Sequence, residues 1–215
     1  MFQRGDWIVP TVHGETYIAK PPLMYWVQMA IAHARRAMGA SPFTDETEVR
    51  LAAALAGVAG VLAAFLVGRR LMAEGGAPSA RDDALAALGA LGLCAGVLYF
   101  RSARTGEIDI LTAPFVIVAV GALHACWAGA AGGRWARVAV ATLAMIGAAL
   151  AKGPPALLVP GLAVLGGVAL TLLTRTDAPR SRPRGAWIGA LVGGVLLGAL
   201  SALSVEDWGG LAGAG

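Results

Sequence analysis

The sequence predicts an all-α fold, a polytopic transmembrane bundle of about six spans with an interfacial amphipathic helix near the N-terminus. Hydrophobic residues make up 57% of the 215 residues and only 14% are charged, while the mean hydropathy is +0.69. Such values are typical of membrane proteins. A bilayer is crossed by ~20 apolar residues. Five uncharged stretches approach that length: 51–68, 84–100, 110–129, 155–173 and 185–204.

A sixth span is predicted at 138–151, although this apolar stretch is short on its own. It is flanked by Arg137 and Lys152. Both side chains are long enough to lie along apolar surface while their charged ends reach the interface. The stretch can therefore reach the length of a full span.

Two kinds of connection alternate between the spans. The first kind is rich in arginine, with nine in the segments 68–83, 132–137 and 174–184. The second kind holds only three cations, Arg101, Arg104 and Lys152. Because positive charge in short loops marks the cytoplasmic side, the first kind is predicted to be cytoplasmic and the second extracytoplasmic.

This sidedness divides the chain into three parts. An extracytoplasmic loop occupies 1–47, the helical bundle 48–205, and the start of a further outer segment 206–215. The segment 23–37 then does not cross the bilayer and is predicted to be an amphipathic helix in the interface. A short tilted span is the alternative. The apolar face of this helix is predicted to comprise Leu23, Val27, Ala30, Ile31 and Ala34.

Three charged residues are thereby placed on the same outer face. Asp109 begins an apolar span and is either a helix-start residue or a functional acid. Lys152 precedes the turn 153–155, Gly-Pro-Pro, and is either a snorkelling lysine or a cation positioned for a phosphate. Lys20 has a similar setting before the proline pair 21–22. Two lysines stiffened by prolines suit an anionic ligand anchored in lipid, such as a lipid phosphate.

Other kinds of chemistry are not indicated. Cys94 and Cys126 lie inside apolar spans, so neither a disulfide nor a metal pair is expected. The three histidines, His13, His33 and His124, do not have the spacing of a metal site. The net charge of +4 is explained by arginines that anchor loops to anionic lipid, so no nucleic-acid partner is expected.

Four stretches carry a resemblance to a known family. The stretch 5–26, "GDWIVPTVHGETYIAKPPLMYW", resembles the first outer loop of polyprenyl-phosphate-sugar-dependent glycosyltransferases of the GT-C fold. That family includes 4-amino-4-deoxy-L-arabinose transferases and protein mannosyltransferase-like enzymes. The stretch 49–71 resembles the helix that follows. "RSARTGEIDIL" (101–111) resembles the second outer loop, and "AKGPPALLVPG" (151–161) resembles a lysine-glycine-proline turn of the family.

The resemblance implies a multi-pass enzyme of the bacterial inner (plasma) membrane. It implies transfer of a sugar, with inversion, from a polyprenyl-phosphate donor to a lipid (lipid A-like) or protein acceptor on the outer face. Asp109 would be catalytic by orienting or activating the acceptor, or would help to hold a cation. Lys20 and Lys152 would hold the donor phosphate. Tyr17 would line the donor pocket, and Arg104 would contact acceptor or phosphate.

The chain also departs from the family pattern. Members carry an acidic motif on a helix ahead of the Gly-Asp-Trp loop, and further helices and a soluble domain at the C-terminus. The resemblance therefore implies a fragment truncated at both ends and inactive alone. Many members have an acidic residue where Ala19 stands, so a divalent metal cofactor is left open. The alternative function is a non-catalytic or transporter-like membrane protein. A transporter would show broken helices near the bilayer midplane.

Overall fold

The computed structural model describes residues 7, 11–12, 15–16, 20–40, 45–73, 76–127 and 133–173. The chain forms two compact units, Met1–Leu157 and Leu158–Gly215.

Apart from one small antiparallel hairpin, the described elements are helical, as the all-α prediction requires. The hairpin pairs β1 (Thr11–Val12) with β2 (Glu15–Thr16). The α-helices are α1 (Leu23–Ala37), α2 (Glu46–Met72), α3 (Ala80–Ala95), α4 (Val97–Thr105), α5 (Thr112–Trp127), α6 (Arg134–Lys152) and α7 (Leu158–Leu173). Short 3₁₀ helices at Ile108–Leu111 and Pro154–Leu157 precede α5 and α7.

Three of the predicted spans are present as long apolar helices. α2 has 27 residues, the continuous helical segment Ile108–Trp127 has 20, and α6 has 19. Each is long and apolar enough to cross a membrane. They correspond to the predicted stretches 51–68, 110–129 and 138–151.

The other three predicted spans have different outcomes. The stretch 155–173 overlaps a shorter apolar helix, Pro154–Gly167. The stretch 185–204 lies outside the described residues. The described part of the chain shows three spans, or four if the bent pair of α3 and α4 is counted as one. The number six therefore stays a prediction.

The stretch 84–100 is not the single straight helix that the sequence predicts. α3 and α4 meet at a bend of 62°, where Gly96 has an extended backbone with ψ 120° that ends the α-helical turn. α4 is held against α2 because the hydroxyl of Tyr99 donates to the carbonyl of Gly57 at 2.7 Å. The approach also requires a glycine, since a Cβ on Gly57 would lie 2.8 Å from the Cβ of Ala103.

Small residues form the helix contacts, whereas large apolar residues face outward. The buried residues of α2 include Ala52, Ala53, Ala56, Gly57, Gly60 and Ala63. The outward face of the same helix exposes Leu55, Val58, Leu62 and Leu66. The buried residues of α6 are Ala141, Ala144, Gly147, Ala148 and Ala151. Lipid tails are as apolar as leucine, so a membrane helix gains little by burying leucine and gains close packing by burying alanine and glycine.

α1 occupies the residues at which the amphipathic helix is predicted, 23–37. Its 15 residues extend about 22 Å at about 1.5 Å per residue, which is less than the ~30 Å hydrocarbon core. This length fits a helix that does not cross the bilayer. Its orientation to the membrane stays a prediction.

The packed face of α1 differs in part from the predicted one. Three of the predicted residues pack against the core: Leu23, Val27 and Ile31. Ala30 and Ala34 are instead exposed, while Met24 is fully buried. The reason lies at Arg35, which shares the face of Met24 at helical spacing. Its guanidinium donates to the buried carboxylate of Glu48 on α2. This charge pair helps to hold the side of α1 that carries Met24 against α2.

The start of α2 is fixed by a reciprocal cap. The side chain of Asp45 accepts from the backbone N–H of Thr47 at 2.7 Å, and the backbone N–H of Asp45 donates to Glu48 at 2.7 Å. Such a capping box satisfies orphan donors at both residues. Hydrogen bonds from Thr47, followed by those involving Glu48 and Arg35, lower the pKa of Asp45 from 3.8 to about 2.

Candidate functional site

Asp109 and Lys152 lie in direct contact. The Nζ of Lys152 donates to the Oδ2 of Asp109 at 2.6 Å, across 43 residues of sequence. The side chains are 25% and 48% exposed, respectively. A pair this exposed stabilises a fold by only about 0–1 kcal/mol. The contribution of the pair to fold stability is therefore too small to account for it. Its position at the end of the helices suits contact with a ligand.

Buried apolar neighbours hold these two residues in place. Asp109 precedes Ile110 and Leu111, and Lys152 follows Ala151. Ile110, Leu111 and Ala151 all belong to one buried cluster. Because each charged residue is adjacent in sequence to a fixed core residue, its backbone is fixed as well. The core thus holds both residues at one end of the helix pair, with Asp109 just before the start of α5 and Lys152 at the end of α6.

The turn after Lys152 has a conformation that only glycine adopts easily. Gly153 has φ +81° and ψ −162°, a region essentially closed to residues with a Cβ. Its backbone N–H donates to the carbonyl of Ala149 at 2.7 Å and so ends α6. The two prolines that follow cannot continue the helix. The ammonium of Lys152 is therefore presented by a rigid helix end.

The first outer segment approaches this turn. A Cβ on Gly153 would lie 3.8 Å from the Cγ of Pro21, and Met24, at the start of α1, belongs to the same buried cluster as Ala151. The Lys-Pro-Pro and Lys-Gly-Pro-Pro sequences are therefore neighbours in space. Lys20 is exposed and forms no ion pair with any residue that the structure describes. The structure brings Lys20 to the region of the Asp109–Lys152 pair without a direct contact to it.

Two tryptophans of the first outer loop are connected, which the sequence did not predict. The indole Nε1 of Trp26 donates to the carbonyl of Trp7 at 2.7 Å. The ring of Trp7 stacks on His33 with centroids 5.5 Å apart. Since both partners lie on α1, Trp7 is attached along that helix. The only sequence signal was the presence of both tryptophans in the family-like motif.

Arg104 and Glu107 are placed elsewhere. Glu107 is satisfied by the end of α4, where its carboxylate accepts from the hydroxyl of Ser102 at 2.5 Å and from that of Thr105 at 3.3 Å. Arg104 lines an open cleft of about 460 Å³ between the start of α2 and the end of α4. None of Lys20, Asp109 and Lys152 lines that cleft. The structure therefore places Arg104 in a cleft that does not include Lys20, Asp109 or Lys152.

Two further expectations concern the donor pocket and a metal. Tyr17, expected to line the donor pocket, lies outside the described residues. Among the described residues, no three His, Cys, Asp or Glu side chains come together as a metal site, and Asp109 already accepts from an ammonium. The donor set of the described residues does not fit a resident metal.

The fold and the hydrophobic surface define a polytopic helical membrane protein. No protein-family model matches the chain, and no curated protein matches it. A solved structure does match, that of ArnT from Cupriavidus metallidurans in the apo state, with a TM-score of 0.63 and 24% identity. The match covers 91% of this chain and 32% of the ArnT chain. The chain therefore shares the fold of the corresponding part of that ArnT structure and spans about a third of its length.

Proposed function

We propose that the protein is an integral membrane glycosyltransferase that uses a polyprenyl-phosphate sugar. The acceptor is a lipid, lipid A-like, or a protein, at the extracytoplasmic face of a bacterial inner membrane. The single observation that carries the proposal is the contact between Lys152 and Asp109, close to the Lys20 segment. The fold shared with ArnT supports the proposal.

The lysines account for donor binding. An ammonium has three donors, and only one of those on Lys152 is used by Asp109 among the described residues. The remaining donors can bind oxygens of a phosphate, and Lys20 adds a second ammonium nearby. Charge-assisted contacts of this kind stabilise the leaving phosphate as the glycosidic bond breaks.

The carboxylate of Asp109 accounts for activation of the acceptor. The Oδ2 of Asp109 accepts from Lys152, so its other oxygen can accept from an acceptor hydroxyl. The acceptor oxygen forms a bond to the anomeric carbon, and the bond from that carbon to the phosphate oxygen breaks. The phosphate keeps the electron pair and Asp109 takes the proton. Attack on the face opposite the phosphate inverts the anomeric centre.

A transfer assay tests this function. The full-length protein, purified from its native membranes, is reconstituted with a radiolabelled polyprenyl-phosphate sugar and with membrane lipid or protein acceptors. We expect label in the acceptor, and we expect Lys152→Gln to reduce the rate about tenfold or more. Arg134→Gln removes a cation from the first turn of α6, at the other end of that helix, and should leave the rate unchanged. Label that stays in the donor with the unsubstituted protein contradicts the proposal.

One observation favours the transporter-like alternative. The 62° bend between α3 and α4 lies level with the middle of α2, since Tyr99 contacts Gly57, and broken helices line the substrate sites of many transporters. The stretch 84–100 carries no charged residue, however, whereas charged residues collect at the helix ends. Uptake of polyprenyl-phosphate sugar across proteoliposomes, without any transfer, would favour transport.

A further inference from the structure

The open cleft beside Arg104 has a chemistry of its own. It is lined by Arg50, Phe100, Arg101, Arg104 and Thr105, and these five residues define what we call the arginine cleft. The lining side chains thus present three guanidiniums, one hydroxyl and one aromatic ring. Guanidiniums bind phosphates through paired N–H donors more specifically than ammonium groups do.

The carboxylates near the arginine cleft leave most of this donor capacity unused. Arg50 pairs with Glu46 at 2.8 Å, one turn away on α2. Arg101 approaches Glu107 at 3.9 Å, which is too long for a good hydrogen bond. Arg104 forms no ion pair with the described residues. Since a guanidinium has five donors, the arginine cleft retains both free donors and a net positive charge.

An exposed apolar surface continues from the arginine cleft. Phe100 and Val97, on the face of α4 that carries Arg101 and Arg104, are 57% and 79% exposed. Cationic groups thus lie at one end of a surface whose other end is apolar. A ligand with an anionic head and hydrocarbon chains matches both parts.

The location of the arginines also needs a reason. Arg101 and Arg104 lie on α4, in the segment 101–109 that is predicted to be an extracytoplasmic connection, where the positive-inside rule disfavours cations. Membrane topology therefore does not account for arginines at these two positions. Structural ion pairs do not account for them either, because both arginines are weakly paired. Ligand binding does explain both their sign and their grouping.

We infer that the arginine cleft binds the phosphate headgroup of an anionic glycerophospholipid, whose acyl chains lie along Phe100 and Val97. This lipid site is separate from the pair formed by Asp109 and Lys152 and does not depend on glycosyl transfer. It gives the bundle a bound lipid at the end where the proposed chemistry takes place.

Native mass spectrometry of the 215-residue chain tests the lipid site. The chain is released from detergent micelles that contain phosphatidylglycerol or phosphatidylcholine. We expect Arg101→Gln combined with Arg104→Gln to lower the phosphatidylglycerol occupancy about tenfold, because two charge-assisted contacts are lost. Occupancy by zwitterionic phosphatidylcholine should be low and unchanged. The matched control, Arg70→Gln with Arg134→Gln, removes the same charge at the other ends of α2 and α6 and should change occupancy less than about twofold.

Four results would overturn the inference. Equal losses in the two double variants would mean that the lipid binds by overall charge. Equal occupancy by phosphatidylcholine would mean that the headgroup is not selected. Inorganic phosphate that displaces phosphatidylglycerol at equal concentration would make free phosphate the ligand. If the glutamine variant fails to fold, Arg101→Lys with Arg104→Lys keeps the charge, and it should still lower occupancy about threefold because the paired donors are lost. Unchanged occupancy in the lysine variant also contradicts the inference.

Discussion

The ammonium of Lys152 and the carboxylate of Asp109 are joined at 2.6 Å, although 43 residues separate them in the sequence. The pair connects the end of one apolar helix to the start of another. Its partial exposure limits its contribution to stability. An ammonium beside a carboxylate, both at a helix end, can bind a leaving phosphate and an acceptor hydroxyl at adjacent positions.

Replacing Asp109 separates binding from chemistry. Asp109→Asn keeps the size of the side chain but removes its charge and its capacity to take a proton. We expect turnover of sugar transfer to fall about a hundredfold or more, while binding of the polyprenyl-phosphate donor changes less than about threefold. Steady-state kinetics together with equilibrium donor binding measure the two effects. An equal loss in both would mean that Asp109 serves only to position Lys152.

The conformation of Gly153 allows a stability test. Gly153→Ala places a Cβ at φ +81° and ψ −162°, which costs about 1–3 kcal/mol. We therefore expect a lower melting temperature in detergent and weaker donor binding. Gly89→Ala is the matched control, because a Cβ at this helical position meets no atom within 4 Å, and alanine is favoured over glycine in helices. A neutral effect of Gly153→Ala would show that the turn can rearrange.

The predicted sidedness can be tested by labelling. In a chain whose Cys94 and Cys126 are replaced by alanine, single cysteines are placed at Lys20, Arg104 and Arg70. A membrane-impermeant maleimide added to intact cells should label positions 20 and 104 but not position 70, which lies at the other end of α2. Labelling of only one of positions 20 and 104 would mean that α1 crosses the membrane.

The cap at the start of α2 predicts a pH dependence. The pKa of Asp45 is about 2, below its ordinary 3.8, so its ionised form is favoured in the folded state. The contribution of Asp45 to stability is therefore fully present above pH 3.8 and is lost as the pH falls through about 2. We expect the difference in melting temperature between the protein and Asp45→Asn to shrink over that interval. A constant difference would contradict the cap.

Much of the fold follows from the sequence. Uncharged stretches of bilayer length located α2, α5 and α6, and the proline pair together with helical periodicity located α1. The bend at Gly96 was missed because the stretch 84–100 is uniformly apolar. Nothing in that pattern shows that Tyr99 donates to the carbonyl of Gly57 on another helix. The packed face of α1 was also partly wrong, because the contact of Arg35 with Glu48 is a tertiary one.

The site was predictable in its members but not in its contacts. Loop alternation placed Lys20, Asp109 and Lys152 at the same end, and the structure brings the last two together. The sequence could not show that they pair, because pairing depends on how α5 and α6 pack. Arg104 was grouped with them because of its loop, yet it lines a cleft that includes none of the three. The connection to which a residue belongs predicts the end of the bundle at which it lies. The direction of its side chain depends instead on the face of the helix that carries it.

Binding of polyprenyl phosphate tests the central claim most directly, because it needs neither a sugar nor an acceptor. Affinity is measured by microscale thermophoresis for the protein and for Lys152→Gln, Lys20→Gln and the control Arg134→Gln. We expect each lysine substitution to weaken binding about tenfold or more, since a charge-assisted contact contributes roughly 1.5–3 kcal/mol, and we expect the control to bind normally. Unchanged affinity in both lysine variants would show that the phosphate does not bind at this end of the bundle, and would contradict the account.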